Sequence, residues 1–173
     1  MRIERIDANI GRDDMGRDIG FLIEARDAAG AYRALLPSFG EQLHVHSLTI
    51  NATAIPFAYS TERRSEIFFI LEGFEMEDDG MEDEEWTRLA GGRGVPIDAS
   101  QEAKDAIHAS SDPGYGQPGW ASADDFAAFD FARGYRIGDK REAYSEHAVH
   151  WLREMEEMLA KLGNDARLLF WWF

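Results

Sequence analysis

The clearest periodicity in the chain lies between Arg141 and Leu162. Tyr144, Ala148, Trp151, Leu152, Met155, Met158, Leu159 and Leu162 fall in one stripe about 120° wide at helical spacing, with polar residues around the rest of the circumference. The pattern predicts a helix over 141–162 that packs its apolar face on a core. Gly163 suits the position just past a helix, and "GND" suits a tight connection. The closing segment "ARLLFWWF" then predicts a strand over 166–173. Alternation puts Leu169, Trp171 and Phe173 on one face and Leu168, Phe170 and Trp172 on the other. A strand apolar on both faces belongs inside a sheet or between covering layers. The rival expectation is that one face, including Trp172, forms a subunit or partner interface.

Upstream, "LHVHSLTIN" alternates with period two and predicts a strand over 43–51. "AIPFAYS" is its continuation or an edge segment, because Pro56 cannot donate to a ladder. The run "EIFFILEGF" is apolar on both faces and predicts a buried strand over 66–73, and "GFLIEA" predicts another over 21–26. Asp27 is placed to cap a helix through "AAGAYRALLPSF" that ends near Pro37; a single helix from Ile19 to Leu36 is the alternative, opposed by Gly30. Asp98 with Gln101, and Ser122 with Asp125, have capping spacing for two short helices, "SQEAKDAIHA" and "ADDFAAFDFAR". "LAGGRGVP" and "SSDPGYGQPGW" read as loops. The fold class expected from these elements is α+β, a mostly antiparallel sheet with the long helix packed on it and a C-terminal core strand. No linker or repeat divides the 173 residues, so one domain over 1–173 is expected.

Composition narrows the function classes. Cysteine is absent, which removes disulfides, thiolate zinc sites and cysteine nucleophiles and suits a reducing compartment. "MRIERIDANIGRDD" lacks the apolar run of a secretory signal, and no segment approaches the ~18 apolar residues of a membrane span, so a cytoplasmic location is expected. The formal charge of −15 comes from 33 acids against 18 bases. Such a surface repels nucleic-acid phosphates and anionic lipids, which disfavours direct binding to either and leaves a basic protein as the expected partner.

The acids are concentrated in "EGFEMEDDGMEDEEW", where nine carboxylates fall between Glu72 and Trp86 with no base among them. A solvated acidic loop is one reading. Calcium is poorly served: with Gly80 at the sixth position of an EF-hand loop, Glu75, Glu77 and Asp79 take the first, third and fifth. The twelfth is then Trp86, which cannot chelate, and Glu82 stands at the eighth, usually apolar position. Recognition of a basic surface fits better. Glu75, Glu77, Asp78, Asp79, Glu82, Asp83, Glu84 and Glu85 can pair with arginines and steer a cationic partner, with Phe74, Met76, Met81 and Trp86 as apolar anchors. Arg63 and Arg64 are placed to pair with the same stretch.

His44 and His46 share one face of their strand, a spacing that lets two imidazoles hold zinc or iron. Leu48 and Ile50 on that face favour packing instead. His147 and His150 diverge around the helix, "EHAVH" does not match HExxH, and His108 adds nothing. "GGRG" reads as a turn whose Arg93 can hold an anion, without the lysine or spacing of a P-loop, and no GxSxG elbow or cofactor motif is present. The expectation is therefore a cytoplasmic acidic inhibitor that occludes a basic partner, in the manner of immunity proteins against bacterial toxins or DNA-mimic inhibitors. Two alternatives come from other classes. One is a metal-dependent hydrolase or oxygenase built on His44 and His46. The other is a phage or secretion-system component whose apolar C-terminal strand serves assembly, including self-association.

Overall fold

A computed structural model describes residues 19–34, 45–50, 53–58, 64–77, 79–80, 82–111, 117–163 and 165–172. In chain order its elements are β1 (Ile19–Arg26), β2 (Tyr32–Ala34), β3 (Val45–Ile50), β4 (Thr53–Ala58), α1 (Arg64–Glu72), β5 (Phe74–Met76), β6 (Glu84–Trp86), α2 (Gln101–Ser110), β7 (Gly119–Ser122), α3 (Ala123–Ala128), β8 (Tyr135–Ile137), β9 (Lys140–Glu142), α4 (Glu146–Leu162) and β10 (Arg167–Trp172). The strands form two four-stranded sheets, β2-β1-β10-β7 (sheet A) and β5-β6-β8-β9 (sheet C), and a β3-β4 hairpin (sheet B), with every pairing antiparallel. The fold is α+β.

The C-terminal strand lies inside sheet A, as its two apolar faces predict. β10 pairs β1 on one side and β7 on the other, and its residues 167–171 are buried. Phe21, Ile23, Ala25, Leu168 and Phe170 face a core shared with α1 and α4. Leu22, Leu169 and Trp171 face Ala103 and Ile107 of α2. Trp172, partly buried, packs on Phe68 and Phe69, with ring centroids at 4.4 and 6.4 Å. Two glycines make room for the large rings. Gly20 lies opposite Trp171 and Gly119 opposite Phe170, and a Cβ at either glycine would fall inside the neighbouring ring.

α4 buries the predicted stripe from Ala148 to Leu162 and ends on Gly163 at φ 56°. It begins at Glu146, not 141, because Arg141 and Glu142 pair with β8 and Ser145 is the N-cap. The Glu66 carboxylate of α1 fixes that cap, accepting from the Ser145 backbone N–H and hydroxyl, each at 2.6 Å.

The largest correction is "EIFFILEGF", expected as a strand over 66–73 and found as α1. A short apolar run carries no period that separates a buried helix from a buried strand. Residues 66–71 are all buried because α1 is enclosed on several sides: Phe68 meets Phe170 and Trp172, while Phe69 meets Phe74 and Trp86. Its last carbonyls are capped by the segment that follows β6, with Leu89 N–H donating to Ile70 O and Ala90 N–H to Leu71 O. The Arg88 guanidinium donates to Glu72 O, and Gly73 turns the chain at φ 85°.

The helix expected after Asp27 is instead a turn followed by β2. The Asp27 carboxylate accepts from the N–H groups of Ala29 and Ala31, and Gly30 takes φ 83°, so the capping residue closes a hairpin. The rival helix over 19–36 fails for the same reason. The two short helices form, α2 capped by Ser100 in place of Asp98, and α3 by the Ser122–Asp125 capping box. α3 stops at Ala128, where Phe129 turns inward toward Phe131 and Tyr144. The strand expected over 43–51 is β3, and Pro56 sits in β4 opposite Ser47. Within "SSDPGYGQPGW", expected as a loop, the last two residues begin β7. Among the described residues no helix is long and apolar enough to cross a membrane.

Candidate functional site

The acidic stretch folds as the β5–β6 hairpin at one edge of sheet C. Its register sets Phe74 opposite Trp86, Glu75 opposite Glu85 and Met76 opposite Glu84. Opposed residues share a face, so Glu75 and Glu85 project together. Glu85 in turn lies opposite Arg136 on β8, and Arg136 opposite Arg141 on β9, giving a row Glu75, Glu85, Arg136, Arg141 across the sheet. Arg136 Nη2 reaches Glu85 at 3.3 Å and its Nη1 donates to Gly138 O at 2.8 Å. Glu75, Glu77, Asp79, Glu82, Asp83 and Glu85 are exposed. Among the described residues, Glu85 is the one of these six that holds an ion pair.

The hairpin does not present every residue the sequence nominated. Glu84 is 5% exposed and accepts a hydrogen bond from the indole N–H of Trp86, itself 4% exposed. Trp86 stacks on Tyr135, with centroids 3.9 Å apart and planes within 6°, and packs against Phe69 and Tyr144. Phe74 stacks on Phe69 at 4.5 Å. These aromatic residues anchor the hairpin to its own core and leave the surface to carboxylates. Asp78, Met81 and Arg63 lie outside the described residues, as does the side chain of Arg64, so the expected pairing of those arginines with the acids lies there too. Glu72, the first acid of the stretch, is drawn inward. Both its carboxylate oxygens accept from Gly92 N–H, at 3.2 and 3.3 Å, and burial raises its pKa against that bond and the nearby Arg88.

A second charged assembly, on the α2 side of sheet A, escaped sequence reasoning. Arg167 donates from Nε and Nη2 to Glu24 at 2.8 and 2.6 Å, and from Nη2 to Asp98 at 3.0 Å. Its guanidinium lies 3.6 Å from the Tyr32 ring centre, with Arg26 stacked on the same ring at 4.4 Å. Trp120 continues the stack between Arg167 at 5.5 Å and Arg93 at 4.5 Å. Arg93 is the arginine of "GGRG", and the anion it holds is the carboxylate of Asp125, gripped by both terminal nitrogens at 2.7 Å. Burial works to raise the Asp125 pKa, but the bonds from Arg93 and Ser122 outweigh it and hold the carboxyl below its ordinary range. The available signals were Glu24 inside an apolar strand and Arg167 at the head of another. Each is a charge that burial forces to find a partner.

The histidines do not converge. His44 lies outside the described residues; His46 occupies a β3 position opposite Phe57, with its side chain likewise outside. His147 and His150 are exposed on α4, the latter 3.2 Å from Glu154, and His108 is exposed on α2. Among the described residues no three His, Asp or Glu side chains gather as a metal site. Comparison with protein-family models, curated proteins and solved structures finds no match to this chain.

Proposed function

We propose that the chain is a protein-binding module that presents the β5–β6 hairpin to a basic partner and occludes it, as a toxin-neutralising or nucleic-acid-mimicking inhibitor does. The observation that carries this reading is the in-register pair Glu75 and Glu85, exposed with four further acids on one hairpin. Like charges opposed across a ladder cost stability in the free protein. A cationic side chain set between them relieves that repulsion and gains charge-assisted hydrogen bonds. The surrounding acids would speed encounter with such a partner and make binding sensitive to salt. A reducing cytoplasm suits a chain with no cysteine.

The experiment is capture of interacting proteins by the tagged chain at low and then moderate salt. A parallel capture uses a variant carrying Glu75→Lys, Glu77→Lys, Asp79→Lys, Glu82→Lys and Asp83→Lys. The buried Glu84 and Trp86 are left intact so that the hairpin keeps its core. One basic protein, weakened by salt and lost from the folded variant, is the expected result. Equal capture by both chains would dismiss the hairpin as the site.

A further inference from the structure

We propose that the outer face of sheet C receives a protein surface carrying a basic group over Glu75 and a carboxylate over Arg141, which deepens, and rests on, the reading of the β5–β6 hairpin given above. The row Glu75, Glu85, Arg136, Arg141 lies in register across the four strands, and opposed residues share one face. Its middle is closed: Arg136 Nε and Nη2 each reach Glu85 Oε2 at 3.3 Å. Its ends are open. Glu75 and Arg141 are both exposed, and neither holds an ion pair among the described residues. Arg141 Nη1 donates to Arg133 O at 3.2 Å, a bond that positions the guanidinium without matching its charge. The adjacent Glu142 lies opposite Tyr135, on the other face of the sheet.

The order of the charges selects the partner. An alternating row would neutralise every member within the sheet. This row instead opposes Glu75 to Glu85 and Arg136 to Arg141, two like-charge pairs that cost stability in the free protein. A cation at one end and a carboxylate at the other relieve both. The ends are three strand spacings apart, roughly 14 Å at about 4.8 Å each. That exceeds the ~8 Å Debye length at physiological salt, so each end meets its own counter-charge and the net −15 of the chain does not average over the two. A uniformly basic surface would gain at Glu75 and lose at Arg141. The complementary surface is mixed, with base and acid set apart by the width of the sheet.

The test titrates the full chain, at physiological salt, with two synthetic peptides: hexa-arginine, and a mixed peptide of three arginines, two glycines and three glutamates. Glu75→Lys should weaken binding of both about fivefold. Arg141→Glu separates them by sign. It should weaken the mixed peptide about fivefold and strengthen hexa-arginine, because it removes a match for the first and a repulsion for the second. Arg141→Gln, the milder change, should shift each peptide in the same direction by less, and circular dichroism should stay that of the parent chain. If Arg141→Glu strengthens the mixed peptide or leaves it unchanged while Glu75→Lys still weakens both, the inference is overturned and the hairpin reading stands. No binding of the mixed peptide at millimolar concentration also overturns the inference. If Glu75→Lys leaves both peptides unchanged, the hairpin reading fails and takes the inference with it.

Discussion

On β1 and β10, Glu24 lies in register opposite Arg167; on β5 and β6, Glu75 lies in register opposite Glu85. The first pair is sealed under the 91–100 loop, with Glu24 fully buried, and the second is open to water. Burial makes the difference: desolvated charge persists only when paired and hydrogen-bonded, whereas exposed like charges are screened and cost little. Sheet A therefore uses charge to hold its own loops. Sheet C buries Glu84 and pairs Glu85 with Arg136, while its other exposed acids hold no ion pair among the described residues; on the reading proposed above, those acids serve a partner.

The strongest way to break this comparison is to remove one member of the buried pair. Arg167→Met leaves Glu24 without its counter-ion and should cost about 3–5 kcal/mol in urea unfolding. Glu24→Leu combined with Arg167→Met should recover much of that loss. If Arg167→Met costs little alone, the assembly is decoration and not the fastening of the sheet.

Arg93→Ala comes next, at about 1–2 kcal/mol, since its two bonds to Asp125 are charge-assisted but partly exposed. The pH dependence carries a sign. Asp125 has a folded pKa below its ordinary value of 3.8, so its contribution is present above that value and is lost as pH falls through the folded one. Stability measured downward from pH 5 should fall less steeply in Arg93→Ala than in the parent chain.

Sheet C gives the smaller, opposite effect. Glu75→Lys puts a cation opposite Glu85 and should raise stability by at most about 1 kcal/mol, a gain that fades with added salt. A loss of stability would mean that Glu75 has a structural partner and that the hairpin belongs with sheet A.

Legibility in the sequence followed the length of each element. The seven buried positions of α4 and the alternation of β10 repeat often enough to reveal period and face. α1 could not be read because an enclosed nine-residue helix and a core strand share the same unbroken apolar run. The strands of sheet C are three residues each, too short to show alternation, so the acidic stretch could be located but not seen as a hairpin. Trp86 shows the same limit at one residue: its position among acids suggested a surface anchor, while its stacking partner Tyr135 is 49 positions away in the chain. The arginine assembly joins Arg26, Arg93 and Arg167, which only the topology brings together.

Glu72 gives the finest division between the two regions, since it opens the acidic stretch yet is turned inward. It ends α1, where the negative end of the helix dipole is unfavourable to a carboxylate, and burial raises its pKa despite the Gly92 N–H. For a carboxyl raised above its ordinary 4.5, the stabilising contribution is full below that value and is lost as pH climbs through the folded one. Glu72→Gln keeps an acceptor for Gly92 and never ionises. It should match the parent chain in stability at pH 4 and exceed it slightly at pH 7, the gain being small because the carboxylate is half exposed. Thermal unfolding at the two pH values measures the difference directly. If the variant is instead weaker at pH 7, the contacts with Gly92 and Arg88 outweigh burial. The charge of Glu72 would then fasten the 88–93 segment to α1 as Glu24 fastens the 91–100 loop, and the boundary between structural and free acids would move to Glu75.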